Sequence, residues 1–209
     1  MNSGLSGTKE RIFDIAIRLI AQNGFENVSM RDIANEAGIQ AASIYNHFVG
    51  KEEILNSIYQ YFKEYWMRRR NDASRMKTAI ETGSALDVLT AFLDSALDSQ
   101  EEKIVLRMVL IPKILMMRIF NDPRANQFFL HDWFDTDMLY MKQWLGYAVE
   151  IGRLDKGFDI ENYSIFFWRQ LIMMAVWAFA DPKYEVKRLD EEAILLRWFA
   201  DMLPLKDPQ

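Results

Sequence analysis

The sequence predicts an all-α fold, a small N-terminal unit followed by a larger helical remainder, with about nine helices in all. Three observations carry that expectation. Apolar residues recur at helical spacing in one segment after another, glycine and proline fall between the segments, and none of them alternates apolar with polar residues as a half-buried strand would. No repeat with a period of about 20 to 50 residues is present. Half of the 209 residues are hydrophobic and 13% are aromatic, enough for a substantial core.

Taken in order, Thr8 to Asn23 carries Ile12, Phe13, Ala16, Leu19 and Ile20 on one helical stripe, and Gly24 follows as a stop. Ser29 can cap a second helix, with Asp32 three residues on in an approximate capping box and Ile33, Ala34 and Ala37 facing inward. Gly38 ends it. Gln40 begins a short third segment through His47, with Ile44 and Phe48 on one face. Gly50 then stands at the cap of a long amphipathic helix bearing Ile54, Leu55, Ile58, Tyr61, Phe62 and Tyr65. Arg68 to Arg70 and the polar stretch to Thr78 mark a boundary. Further helices are expected at 84–99, 101–120, 123–152, 159–180 and 188–203, the last three punctuated by Gly157, Pro182 and Pro204. Pro112 should kink its helix by removing one hydrogen bond.

There is no cysteine, which excludes disulfides, thiolate metal sites and thiol nucleophiles. The first residues lack a secretory pattern, and the most apolar stretch, Tyr163 to Ala180, is broken by Arg169 and Gln170. Its uninterrupted run falls short of the about 20 residues a membrane span needs. A cytoplasmic protein without membrane contact is expected. The net charge of -5 is unevenly spread: residues 1–70 carry 9 Lys+Arg against 8 Asp+Glu, and the rest carry 16 against 22. The N-terminal unit is therefore close to neutral, a weak electrostatic footprint for binding nucleic acid.

With Met30 counted first, Ala34, Gly38 and Ile44 fall at positions five, nine and fifteen, the spacing of a helix-turn-helix. Small Ala34 lets two helices cross closely, Gly38 accepts a left-handed turn, and Ile39 and Ile44 fill the angle between them. An ordinary helical corner would share that spacing. The wider set of Gly24-Phe25, Ser29 to Ala34, Ala37-Gly38-Ile39, Ser43 to Phe48 and Lys51 to Leu55 resembles the N-terminal domain of TetR/AcrR regulators over about the first 60 residues. The remainder resembles that family only in length and helicity.

The resemblance implies a DNA-binding domain at residues 1–52, an effector-binding and dimerisation domain at 53–209, and no enzymatic activity or cofactor. It makes Gln40 to His47 the recognition helix, with Gln40, Ala41, Ser43, Tyr45 and Asn46 near base edges or phosphates and Ser29, Arg31, His47 and Lys51 on the DNA backbone. The side-chain chemistry is suitable, since Gln can pair with adenine while Tyr, Lys and Arg suit phosphates. Ala41 and Ala42 depart from the polar residues usual there and could meet thymine methyls. The implied activity is that of a ligand-responsive regulator, a homodimeric repressor released from a palindromic double-stranded operator by a small apolar or amphipathic effector.

The remainder is rich in Met and Trp, which suits an adaptable apolar pocket. The pocket candidates are Met108, Met116, Met117, Phe120, Phe128, Trp133, Met141, Trp144 and Met173. The resemblance places dimerisation in the last two long helices, where Ile165, Phe166, Ile172, Trp177, Leu195, Trp198, Phe199 and Met202 offer surplus apolar surface. On an ideal helix Arg107 and Arg118 share one face, open to water or to an anionic ligand. The competing reading is an all-helical metal-binding protein or enzyme centred on His131, Asp132 and Asp135, since His131 and Asp135 stand one turn apart. An activator or a DNA-localised adaptor is a third.

Overall fold

A computed structural model describes residues 7–70, 73–97, 102–180 and 182–208 of the chain. The described backbone is helical, with no strand among the described residues. The elements are α1 (Thr8–Asn23), α2 (Met30–Glu36), a 3-10 turn (Ser43–Asn46), α3 (Lys51–Arg70), α4 (Ser74–Thr82), α5 (Ala85–Leu97), α6 (Glu102–Arg118), α7 (Pro123–Gln127), a π-helical segment (Phe128–Asp135), α8 (Thr136–Glu150), α9 (Ile160–Ala180) and α10 (Pro182–Asp201). The chain forms two compact units, one of Met1–Arg68 with Ser99–Phe129 and one of Arg69–Asp98 with Leu130–Gln209.

The first unit is built on the stripes read from the sequence. Ile12, Phe13, Ala16 and Ile20 of α1, Ile33 and Ala34 of α2, Ile44, Phe48, and Ile54, Leu55, Ile58 and Phe62 of α3 are all buried. α1 also packs against α6. Ile104, Met108, Ile111, Ile114 and Leu115 of α6 join the buried set, and the helix runs on through Pro112. By its contacts, then, this unit takes in α3 and the 99–129 stretch, whereas the sequence alone suggested a boundary after residue 52.

In the second unit Ile80, Leu89, Phe92, Met141, Leu145, Phe167, Phe199 and Leu203 form the core. Its helix α4 begins within the polar stretch that the sequence suggested was a boundary and runs past it to Thr82. Met76, Ala79 and Ile80 give that short helix a buried edge, which single polar neighbours on either side conceal from a pattern reading. Helix α10 starts at Pro182, six residues before the expected 188. A proline that reads as a break is here the first helical residue, where its fixed φ and missing N–H cost nothing. Residues 98–101, at the expected junction of 84–99 with 101–120, lie outside the described residues.

Buried Arg153 holds the C-terminal end of α4, donating to the carbonyl oxygens of Glu81 (3.1 Å) in its last turn and Gly83 (2.8 Å) just past it, where helical carbonyls lack intrahelical donors.

Candidate nucleic-acid interface

The turn between α2 and the 3-10 segment follows from a few local hydrogen bonds. Ser29 is extended (φ -105°), and its hydroxyl accepts from the Asp32 N–H at 3.2 Å while the Ser29 N–H donates to the Asp32 carboxylate at 2.8 Å. Both halves of the capping box are present. The Ser29 hydroxyl and amide together hold the Asp32 carboxyl below its ordinary range. At the other end, Gly38 has φ +63°, its N–H donates to the Asn35 carbonyl, and the Ile39 N–H reaches back to the Ala34 carbonyl, both at 3.0 Å. These are the two bonds of a Schellman stop, in which a left-handed residue must follow the helix end. Nothing lies within 4 Å of where a Cβ on Gly38 would sit, so its requirement for glycine comes from the backbone alone.

The expected recognition helix from Gln40 to His47 is shorter and tighter than the sequence suggested. Only Ser43–Asn46 is regular, wound as a 3-10 turn, with the His47 N–H donating to Ile44 at 3.0 Å. No side chain caps it, and Ile44 and Asn46 are weak helix formers, so there is little local drive to lengthen it. Ile44 and Phe48 are buried and anchor the segment, which leaves Gln40, Tyr45 and Asn46 exposed beside Arg31 and Ser29, with Ala41, Ser43 and His47 half-buried. Every expected DNA-facing residue thus has some accessible surface.

Lys51, the first residue of α3, is tied inward. Its ammonium donates to the Phe25 carbonyl at 2.5 Å and lies 4.2 Å from the centre of the Phe25 ring. The Glu53 carboxylate accepts from the Val49 N–H across the same helix start.

Arg107 and Arg118 do not face water or a ligand. Arg107 is buried, donating to Asp14 at 2.6 Å and Glu10 at 3.0 Å on α1 and lying over the rings of Phe13 and Tyr61. Arg118 donates to Asp122 at 3.0 Å and Glu26 at 3.2 Å and lies 4.2 Å from the Phe25 ring centre. Arg124 joins Asp122 to Glu52 and Asn56 of α3. Burial pushes the Asp122 carboxyl up, but hydrogen bonds from Arg124 and Arg118 outweigh it and hold the group below its ordinary value. Sequence reasoning missed this network because each arginine meets partners more than 65 residues away. The paired acids one turn apart on α1, Glu10 and Asp14, were the available signal.

The expected pocket residues divide between the units. Met108 and Phe128 are buried in the first, where Phe128 stacks on Tyr59 at 6.1 Å and meets Phe62 edge-on. Met116 is half-buried and Met117 exposed, its methyl close to Gly24. Phe120 corrects the sequence reading: α6 ends at Arg118, so this ring lies in the following turn, 88% exposed, and lines no enclosed cavity. In the second unit Met141 is core and Trp133 half-buried. Trp144 lines an open groove of about 620 Å³ with Leu139, Tyr140 and Tyr147. Met173 stands elsewhere, exposed on α9.

On α9 and α10, Phe166, Trp177, Trp198 and Met202 are exposed and Ile165, Ile172 and Leu195 half-buried, whereas Phe199 is fully buried. Phe199 is therefore core, correcting its assignment to an interface: Tyr163 and Phe167 pack edge-on against it from α9. A groove of about 550 Å³ runs along the exposed face between Met173, Trp177, Ile194 and Trp198.

His131 pairs with Asp135 at 2.9 Å, both exposed. Among the described residues no group of three or more His, Asp or Glu side chains could hold a metal ion. No described helix is long and apolar enough to cross a membrane.

Residues 12–58 match the family model described as bacterial regulatory proteins, tetR family. Among curated proteins, the chain is 28% identical over 104 residues to the HTH-type transcriptional repressor KstR2 of Rhodococcus jostii, an alignment covering half of each chain. It is 24% identical over 213 residues to the HTH-type transcriptional regulator AcrR of Shigella flexneri, covering 96% of this chain and 93% of that one. Among solved structures, the ketosteroid transcriptional regulator KstR2 of Mycobacterium tuberculosis superposes with a TM-score of 0.64 at 21% identity, covering 92% of this chain and 94% of that one.

Proposed function

The chain belongs to the tetR family of bacterial regulatory proteins, and we propose that it is a dimeric repressor that binds an inverted-repeat DNA operator and leaves it when a small apolar or amphipathic effector binds. The observation that carries this reading is the capped corner from Ser29 to His47. A stopped helix, a left-handed glycine and a short anchored turn present Gln40, Tyr45 and Asn46 outward from a rigid base. Side chains so placed can reach base edges, while Ser29, Arg31, His47 and Lys51 around them suit the phosphate backbone.

Two-fold assembly supplies what one corner of near-neutral charge cannot. Two half-sites about 34 to 36 Å apart multiply a modest single contact. The occupant assigned to the exposed face of α9 and α10 is a second copy of the chain. Phe166, Met173, Trp177 and Trp198 form an apolar surface of the kind that marks an interface.

The effector is assigned to the helical remainder. The open groove beside Leu139, Tyr140, Trp144 and Tyr147 is mostly apolar with a few polar edges, which suits an amphipathic molecule. The ketosteroid named for the Mycobacterium tuberculosis neighbour is a molecule of that character.

Selection of bound fragments from genomic DNA with the purified protein, followed by footprinting, tests the reading. An enriched inverted repeat protected on two successive major grooves is expected. Failure to enrich any such repeat at modest salt overturns it.

A further inference from the structure

One aromatic ring in the first unit is shared by two cations. The ammonium of Lys51 and the guanidinium carbon of Arg118 each lie 4.2 Å from the centre of the Phe25 ring. Lys51 opens α3, Arg118 closes α6, and Phe25 sits in the loop that follows α1. We propose that Arg118 is a positioning residue for DNA binding, acting through the Phe25 ring to hold the Lys51 ammonium at the start of α3, where a DNA phosphate would be received. This inference rests on the proposed reading of the N-terminal helices as DNA-binding.

The chain of restraint begins at Arg118. Its guanidinium is fixed from two sides, by the buried Asp122 carboxylate at 3.0 Å and by Glu26 at 3.2 Å, and its side chain is only 15% exposed. It therefore presents a fixed cationic plane rather than a mobile one, and guanidinium planes suit aromatic faces. The Phe25 ring is 6% exposed and has no freedom to leave. The loop turns at Gly24, whose φ of +81° is a left-handed value that favours glycine, and the Met117 methyl of α6 lies near it. With ring and loop fixed, the Phe25 carbonyl is placed to accept from the Lys51 ammonium at 2.5 Å.

That bond uses one of three ammonium donors, and Lys51 keeps some accessible surface, so a phosphate oxygen can be met by another. The backbone N–H groups of the first turn of α3 add partial positive charge at the same place. A lysine with four free rotatable bonds would have to be ordered when DNA arrives. Here it is ordered beforehand, which favours binding without any added charge.

Phosphate contacts do not depend on base sequence, so a duplex of arbitrary sequence at low salt is a sufficient probe. Binding is measured against salt for the wild type, Lys51→Met, Arg118→Met and the double variant, with thermal melts alongside. If Arg118 acts through Lys51, each single variant lowers affinity. Lys51→Met also reduces the slope of log affinity against log salt by about 0.9 for each bound copy, the share of one phosphate contact, whereas Arg118→Met keeps the slope, because Lys51 still meets its phosphate once it is ordered on the DNA. The double variant then binds like Lys51→Met alone. Multiplied losses in the double variant, or an affinity unchanged in Arg118→Met, would overturn the proposal. Should Arg118→Met not fold, Phe25→Leu, which removes the ring but leaves the pairs of Arg118 with Glu26 and Asp122, carries the same comparison with the same outcomes. A wild type that binds no duplex overturns the DNA-binding reading itself, and the proposal with it.

Discussion

Asp14 accepts a 2.6 Å hydrogen bond from Arg107 across 93 residues of sequence, fastening α6 to α1 inside the first unit. Arg107 is the buried member and the carboxylates are its wetter partners, with Asp14 31% and Glu10 23% exposed at the side chain. Its loss therefore differs from the loss of a surface pair. Breaking a buried ion pair costs about 3 to 5 kcal/mol when the remaining charge is stranded, but here the carboxylates can rehydrate. Arg107→Met should lower stability by about 2 kcal/mol, part of it from the lost contacts with the Phe13 and Tyr61 rings. Arg107→Lys should recover less than half, since a point charge cannot serve both carboxylates in a fixed fork. Denaturant titration reads both, and an unchanged midpoint for Arg107→Met would contradict the account.

Acid should loosen the same unit. The carboxyls of Asp32 and Asp122 lie below their ordinary values, Asp32 through the Ser29 hydroxyl and amide, Asp122 because Arg124 and Arg118 outweigh its burial. Glu10 is also lowered, chiefly by the hydrogen bond from Lys103. A depressed folded value means the folded state binds the proton less readily than the unfolded one. The stabilisation is therefore complete above the unfolded carboxyl range, near pH 4 to 4.5, and is lost as pH falls through the folded values. Melting temperature measured from pH 7 downward should hold to about pH 5 and then decline. In Asp122→Asn that decline should be shallower from a lower starting point.

The capping box and the Gly38 stop make separable contributions. Ser29→Ala should cost about 1 kcal/mol, the usual loss for an N-cap. Gly38→Ala should cost about 1 to 2 kcal/mol from forcing a left-handed backbone, and Gly38→Asn less, because open space around the Cβ position leaves only the backbone penalty. Gly38→Val adds β-branching to the same strain and should be the worst of the three. Equal losses for Asn and Val, by chemical denaturation, would mean that crowding sets the cost.

How far the sequence could be read depends on the range of the interaction. The Ser29 cap, the Gly24 and Gly38 stops and the buried stripes of α1 and α3 depend on residues within a few positions of one another, and they were legible. The pairs of Arg107 with Asp14 and Arg118 with Glu26 exist only after distant helices pack, so no local pattern marks them. Trp198 and Phe199 make the same point at single-residue scale. Both are aromatic and adjacent, yet about 100° apart around the helix. Phe199 enters the core and Trp198 remains 53% exposed, and only the position of α9 decides which.

That exposure makes Trp198 the place to test assembly. Trp198→Glu gives up one edge-on contact with the buried Phe199 ring, at 5.0 Å, and puts a charge on the face assigned to a second copy. Sedimentation equilibrium should show a dimer for the wild type and a shift toward monomer for the variant, while the unfolding free energy of the monomer falls by only about 1 kcal/mol, the share of the lost ring contact. An assembly unaffected by the charge would move the interface elsewhere.

Tyr163 shows how α9 holds the end of α10. The Met202 N–H donates to Trp198 and the Leu203 N–H to Ala200, so the carbonyl of Phe199 is one of the end carbonyls left without a donor from its own helix. The buried Tyr163 hydroxyl donates to it at 2.8 Å. Tyr163→Phe keeps the ring and its edge-on packing against Phe199 while stranding that carbonyl, so it should cost about 1 to 1.5 kcal/mol with no cavity formed. Burial also pushes the hydroxyl above its ordinary value. A raised folded value contributes stability that is complete below the unfolded tyrosine range, near pH 10, and lost as pH rises beyond it. The wild type should therefore lose stability in alkali faster than Tyr163→Phe, and the two stability curves, measured by denaturant between pH 8 and 11, should converge. Parallel curves would mean that the hydroxyl is hydrated in the folded state and that α10 is held by packing alone.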